Sequence, residues 1–119
     1  MTAFSVLLAL IVAQAPPTKK IEIVSVTGCL REQGGNWMLV AATDPVPSPA
    51  NQAQGDDIPK EPPAGKNTFR LIGVSEFSLP QHRDRTMVIR GLFIKDKVSR
   101  VNVTSAVEAV ASCAAGAPK

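Results

Sequence analysis

The sequence has few aromatic residues and few of the side chains that most enzymes use for chemistry. Among 119 residues there are no tyrosines, one tryptophan, four phenylalanines, one histidine and two cysteines. A chain with one histidine and no C-x-x-C pair cannot supply the four ligands of a structural zinc site. No phosphate-binding glycine loop or catalytic constellation is present either, so we expect no metal, no cofactor and no enzymatic activity.

The composition predicts one small domain with a light core. Hydrophobic residues make up 45% of the chain, but alanine and valine supply much of this and aromatic residues only 4%. The net charge of +3 is mildly basic and lacks the dense lysine and arginine clusters of a dedicated nucleic-acid binder. Single-strand binding would also need aromatic stacking platforms, which are scarce here, so nucleic acid is not an expected partner.

The first fifteen residues have the pattern of a signal peptide. An apolar stretch from Ser5 to Ala13 is followed by small residues, although no lysine or arginine precedes it. Cleavage after Ala13 avoids a proline at the new N-terminus, which cleavage after Ala15 would create. An uncleaved anchor is the alternative, but crossing a bilayer takes about 20 apolar residues. We therefore expect export to the periplasm or the extracellular space, with a cleaved signal peptide within residues 1–15 and an N-terminal leader at residues 16–20.

Alternating apolar and polar residues with many β-branched side chains predict an all-β domain over residues 21–113. The predicted strands are residues 21–30, 37–43, 68–74, 85–95 and 100–113. The fifth should change face near Ser105 to end beside the first, and residues 114–119 should form a flexible tail. A Gly-Gly pair within residues 32–36 predicts the first hairpin turn.

Successive side chains of a β-strand point to opposite faces, and this alternation predicts which of them point inward. Trp37, Leu39 and Ala41 should share one face of the second strand, and Phe69 with Leu71 one face of the third. Gly28 and Gly91 fall inside strands, where glycine marks a bulge, a bend or a close approach of two backbones.

The stretch between the second and third strands has a different composition. Residues 44–67 contain six prolines and two glycines among 24 positions. No core can form from such a segment, so we expect a long disordered insert, with an ordered binding loop as the alternative. Asp56 and Asp57 lie in it as an acidic pair without companion ligands, and we expect them to be solvated rather than to bind calcium.

Five strands, with a short non-sheet segment between the third and fourth, are the layout of an OB-fold barrel. Pro80 limits any helix in that segment to about one turn. By spacing alone, a small β-sandwich is a close alternative.

The strand motifs resemble those of a group of small exported OB-fold-like proteins of bacteria. The matching segments are VTGCL (26–30), WMLVAAT (37–43), FRLIG (69–73), His82 with RTMVIRGL (85–92), and RVNVTS to ASC (100–113). Phe69 stands where that group usually has tyrosine, and Asp84 where it has glycine. The resemblance covers most of the chain beyond the leader except the insert, and implies a fold and export rather than an activity.

The two cysteines predict a structural disulfide. Cys29 lies in the first predicted strand and Cys113 at the end of the fifth, behind an export signal. Exported proteins form disulfides, and we expect this one to close the seam of the barrel. Reactive thiols are the alternative interpretation.

His82 is the only histidine, so a hydrolase mechanism would have to use it. Ser75, Ser78 and Asp84 are near in sequence, but nothing in the pattern fixes a triad. We expect His82 to anchor the turn before the fourth strand.

Basic residues concentrate late in the chain, with six of them against two acidic residues. They are Arg83, Arg85, Arg90, Lys95, Lys97 and Arg100. Arg90 alternates with the predicted inward residues of the fourth strand and should be exposed. The six basic side chains could then contact an anionic surface. A solvated outer face is the alternative. We therefore expect an envelope module that binds an unidentified envelope component or protein, or else a structural or stress-related envelope protein without a small ligand.

Overall fold

The structure, a computed structural model, describes residues 22–119, of which 47% lie in β-strands and none in an α-helix. The predicted signal peptide and leader, residues 1–20, lie outside this range. Two 3₁₀ turns, Gly55–Asp57 and Leu79–His82, accompany the strands. The six strands are β1 (Ile23–Gln33), β2 (Asn36–Ala42), β3 (Val46–Pro47), β4 (Asn67–Ile72), β5 (Thr86–Ile94) and β6 (Arg100–Val110).

Five of the strands close into a ring in the order β1, β2, β4, β6, β5 and back to β1. All neighbours are antiparallel except β4 and β6, which are parallel. The ring closes because β1 is long: its first half pairs with β5 and its last residues pair with β2. The all-β prediction is confirmed. The two-residue strand β3 was not predicted; it adds to the free edge of β1, so the sheet has six strands and is not a regular barrel.

The two predicted turns form where the sequence places them. Gly34 and Gly35 have φ angles of +57° and +80° and connect Gln33 to its cross-strand partner Asn36, as a two-residue hairpin turn requires. The segment containing Pro80 forms a single 3₁₀ turn. This short turn lets the chain cross from β4 to the start of β5.

The interior of the ring is filled mainly by aliphatic side chains from all five of its strands. Phe69 and Leu71 share the inner face of β4, as predicted, and the Phe69 ring meets Phe93 edge to face at a centroid distance of 6.2 Å. The buried cluster comprises Val24, Val26, Leu30, Leu39, Ala42, Phe69, Leu71, Leu79, Met87, Ile89, Val101 and Val103. With Phe69 as the one buried aromatic residue within the described part of the chain, this core is as light as the composition indicates.

Both mid-strand glycines mark close backbone approaches, which was one of the two predictions for Gly28, whereas a bend was predicted at Gly91. A Cβ on Gly28 would lie 2.8 Å from the carbonyl oxygen of Val40, and one on Gly91 would lie 2.2 Å from that of Asn102. The pairing of β5 with β6 shifts register beside Gly91. No larger residue fits at Gly91 without moving the backbone of β6.

Irregular pairing changes which residues face inward near two strand ends. Ala41 was predicted to face the core, but its φ is +48° and the pairing of β2 with β4 shifts between Leu39 and Ala42, so Ala42 is buried instead. On β6 the predicted change of face is confirmed: Val103 is in the core, and the next core-facing residue is Ala106. That strand ends at Val110 rather than at Cys113.

The segment of residues 44–67, called the proline-rich segment below, runs from β2 to β4 over the outside of the sheet. Its disorder stays a prediction. Its first residues run along β1, where Ser48 N donates to Ile23 O at 3.0 Å. It then crosses the outer face of the sheet, where Thr104 and Ser105 donate their hydroxyls to Ala50 O and Asn51 O. Composition predicted that this segment has no core of its own; it could not indicate that its carbonyls would pair with the sheet.

The disulfide between Cys29 and Cys113 is present, with a Cα–Cα distance of 5.3 Å. Its expected position at a seam between the first and last strands is wrong, because those strands are not neighbours. Cys29 pairs across to Thr86 on β5, and β6 lies on the far side of β5. The bond therefore bridges over the start of β5, where the Thr86 hydroxyl donates to Ser112 O at 2.7 Å.

The C-terminal residues contact the sheet beyond the disulfide. Arg31 Nε on β1 donates to Pro118 O at 3.0 Å. The flexibility of residues 114–119 stays a prediction.

Candidate functional site

The six late basic residues do not form one continuous surface. Arg83 and Arg85 lie before β5, Arg90 lies in its middle, and the other three follow it, in and after the turn to β6. A nine-residue strand spans roughly 30 Å, so the two outer groups are on opposite ends of the molecule. The proposed contact with an anionic surface would have to involve one end only.

Most of these charges are also paired. Arg83 lies 3.4 Å from a Glu32 carboxylate oxygen and 5.5 Å from the centre of the Trp37 ring. Arg100 lies 3.9 Å from a carboxylate oxygen of Asp96. Lys95 and Lys97 are exposed and form no ion pair within residues 22–119. The pairing agrees better with a solvated outer face than with a binding stripe.

Arg90 was predicted to be exposed, and this prediction is wrong: the residue is 6% exposed. Its side chain leaves the outer face of β5, where the proline-rich segment covers it. Arg90 Nη1 donates to Asn51 O at 3.0 Å and Nη2 to a carboxylate oxygen of Asp57 at 3.1 Å. Asp57, expected to be solvated, therefore pairs with a buried cation, while its own side chain stays 62% exposed.

A polar cleft of about 560 Å³ opens beside Arg90, between the proline-rich segment and the outer face of β1 and β5. Its base is formed by Ser25, Thr27 and Arg90, the outward-facing residues of strands whose other faces fill the core. One side is the chain from Thr43 to Pro49, and the other consists of Asn51, Gln52, Gln54 and Asp57.

Hydrogen bonds fix the side of the cleft formed by residues 43–49. Thr43 N donates to Thr27 O at 2.9 Å and its hydroxyl accepts from Thr27 N at 3.0 Å, so this residue continues the pairing of β2 along β1. Asn67 Nδ2 donates to Asp44 Oδ1 at 2.7 Å and ties this side to β4. This side of the cleft is thus built on the edge of a strand.

The chemistry of the cleft suits a small polar ligand. It combines hydroxyl groups, side-chain amides, one guanidinium and two carboxylates, with Val46 and the rings of Pro47 and Pro49 on one side. Pockets that bind small molecules use a few placed polar groups of this kind for orientation. No aromatic ring lines it, so bases have no stacking surface there.

His82 lies with Glu108 and Arg85. His82 Nδ1 is 3.0 Å from Glu108 Oε1, and Arg85 Nη1 donates to the same oxygen at 2.9 Å. Asp84 pairs instead with Arg31. The histidine thus joins the turn before β5 to the end of β6, which is the anchoring role expected of it.

The two hydrogen-bond partners of Glu108 lower the pKa of this carboxylate from its ordinary value of 4.5, chiefly through the His82 hydrogen bond and then through Arg85. A carboxylate with a depressed folded-state pKa stabilises the fold above its ordinary pKa, and this stabilisation is lost as the pH falls through the folded-state pKa.

Glu108→Gln should therefore destabilise the protein most at pH 6 to 7, and the difference from the unmodified protein should vanish as the pH falls well below 4.5. Urea unfolding across this range measures it. Glu76→Gln, at an exposed position, is the control and should cause no pH-dependent difference. A destabilisation by Glu108→Gln that grew as the pH fell would contradict the lowered pKa of Glu108 in the folded protein.

Sequence reasoning missed Glu108 and the residues of the cleft other than Arg90 and Asp57, and it did not place those two together. Glu108 is surrounded by alanine and valine and carries no motif. Ser25 and Thr27 do carry a signal, because they alternate with Val24 and Val26 and place hydroxyls on the outer face of β1.

Within residues 22–119, no helix is long and apolar enough to cross a membrane, and no three His, Cys, Asp or Glu side chains group as metal ligands would. Comparisons of the chain with known protein families, with curated proteins and with solved structures found no match.

Proposed function

We propose that this chain is an exported, non-enzymatic binding module of the bacterial envelope, with the polar cleft as its ligand site. The observation that carries the proposal is the 6% exposed Arg90 at the base of an open cleft of about 560 Å³. A buried arginine, even one that is paired with a carboxylate, is often no more stabilising than apolar residues of similar volume. The arginine at this position is therefore better explained by recognition of a ligand than by a contribution to the stability of the fold.

We also infer that the ring is an OB-type barrel with one added strand. The strand order, the single parallel pair of β4 with β6, and the 3₁₀ turn between β4 and β5 support this. OB barrels commonly bind ligands through the face of their second and third strands. The cleft here lies on β1 and β5 instead, below the connection from β2 to β4.

Export is supported by the signal-like N-terminus and by the disulfide, since such bonds persist in oxidising compartments. The disulfide ties β1 to the end of the chain and so helps to hold the base of the cleft.

A structural envelope protein without a small ligand is the second candidate. The observation that favours it is that four of the late basic residues form ion pairs with carboxylates: Arg83, Arg85, Arg90 and Arg100. Ion pairs of this kind can hold parts of a fold together without any ligand.

Filling the cleft distinguishes the two candidates. Ser25→Phe places a ring beside Arg90, its cross-strand partner, and should reduce binding of the protein to the soluble glycan fraction of a bacterial envelope by at least tenfold. Thr68→Phe is the matched control, because Thr68 is exposed on β4, which pairs with neither β1 nor β5. Retention of the protein on this glycan fraction coupled to beads measures binding, and circular dichroism verifies that both variants fold.

If the unmodified protein and Thr68→Phe bind while Ser25→Phe does not, the cleft is the ligand site. If all three bind equally, or none binds, the proposal is wrong and the structural role is favoured.

A further inference from the structure

We propose that the ligand of the polar cleft is an acidic sugar, a uronate unit whose carboxylate replaces that of Asp57 at Arg90. This inference rests on the proposed function and adds the chemical class of the ligand to it. In the free protein, Asp57 occupies the place that the ligand's carboxylate takes in the complex.

The first support is the incomplete pairing of the Arg90 guanidinium. A guanidinium has five N–H donors and binds a carboxylate best through two parallel hydrogen bonds. Asp57 contributes one oxygen to Nη2 only, and Nη1 is used by Asn51. Arg90 Nε is buried and has no hydrogen-bond partner within residues 22–119. A ligand carboxylate that reached Nε together with an Nη nitrogen would satisfy the donor that Asp57 leaves unpaired.

The second support is that Asp57 can be displaced. Its side chain is 62% exposed and lies on the 3₁₀ turn Gly55–Asp57, which is held by the Asp57 N to Gln54 O and Ile58 N to Gly55 O hydrogen bonds. The Arg90 side chain is only 8% exposed and is fixed by β5. When the two separate, the aspartate can turn to water, whereas the arginine needs a new anion.

The third support is the distribution of hydroxyl and amide groups around Arg90. A simple carboxylate would use the guanidinium alone, whereas the hydroxyls of a sugar can pair with Ser25, Ser48, Gln52 and Gln54. The cleft of about 560 Å³ falls within the usual size of small-ligand sites.

Charge and shape argue against other anions. The cleft has one arginine and two aspartates, so a polyanion such as a nucleic-acid strand would meet Asp44 as well as Arg90. A molecule with one carboxylate can take the place of Asp57 at Arg90 and otherwise presents neutral hydroxyl groups to Asp44.

The test is titration of the full chain with glucuronate, and with glucose as the neutral sugar of the same stereochemistry, followed by NMR. Asp57→Asn removes the internal competitor and should tighten glucuronate binding by about two- to fivefold, the range for an exposed ion pair. Asp96→Asn removes a carboxylate from the Arg100 pair, far from the cleft, and should leave the affinity unchanged. Arg90→Gln should weaken binding by at least tenfold.

Glucose should bind at least tenfold more weakly than glucuronate to the unmodified protein. Arg90→Gln could fail to fold, so the test also stands on a second comparison, that of the glucuronate affinities of Asp57→Asn and Asp96→Asn. Equal or weaker glucuronate binding by Asp57→Asn, or equal affinities for glucuronate and glucose, would overturn the inference. Envelope glycan bound through the cleft without any glucuronate binding would overturn it too, but would leave the proposed function standing.

An oligouronate identifies the source of the ligand. Tighter binding of the oligomer than of the monomer would support a uronate within an envelope polysaccharide. Equal affinity per uronate unit would support a free sugar acid.

Discussion

Replacement of both cysteines, Cys29→Ala with Cys113→Ala, is expected to lower the free energy of unfolding by roughly 4 kcal/mol. The bond closes a loop of 84 positions, which is most of the domain. Its loss therefore raises the conformational entropy of the unfolded chain over most of the domain. Small domains have total stabilities of about 5 to 15 kcal/mol, and the light core places this one toward the lower end. The double variant should therefore be partly unfolded at 37 °C.

Urea unfolding of the oxidised protein, the reduced protein and the double variant measures this effect. The reduced protein and the double variant should agree with each other and should unfold at a lower urea concentration than the oxidised protein. Coincident midpoints for all three samples would show that the bond does not contribute to stability.

Gly91→Ala is expected to destabilise the protein by about 3 kcal/mol, at the upper end of the range for overpacking. Its Cβ would lie 2.2 Å from the carbonyl oxygen of Asn102, and the nearest atoms include backbone of β6, which cannot rotate away as a side chain can. Either the pairing of β5 with β6 opens at this point or β6 moves outward. Thermal unfolding gives the size of the effect.

Gly35→Ala is the control for this substitution. Gly35 has a φ of +80° and open space around it, so alanine there meets backbone strain of about 1 to 2 kcal/mol and no steric contact. A smaller loss for Gly91→Ala than for Gly35→Ala would contradict the close approach seen at β6.

The strands could be predicted because their signals are local. Phe69 and Leu71 alternate with polar neighbours, and Gly34 with Gly35 supplies the two positive φ angles of a tight hairpin. The face of Ala41 could not be predicted, because the bulge that turns it outward arises from the pairing of β2 with β4 and leaves no mark in the alternation.

The candidate site was harder to predict because it depends on a contact between distant parts of the chain. Asn51 and Asp57 lie 39 and 33 positions from Arg90. One signal was present: Met87, Val88 and Ile89 form an unbroken apolar run, which is typical of a strand covered on both faces. Val88 thus indicated that something covers the outer face of β5, and the proline-rich segment is the only long stretch free to do so within the described part of the chain.

The short strand β3 has a consequence for how copies of this protein meet one another. It lies along the edge of β1 that β2 does not reach, at Val24 and Ser25. Pro45 and Pro47 flank Val46 and have no backbone N–H, so β3 cannot extend the sheet to another chain as an open edge would. These two prolines therefore protect this edge of the sheet from pairing with a strand of another copy.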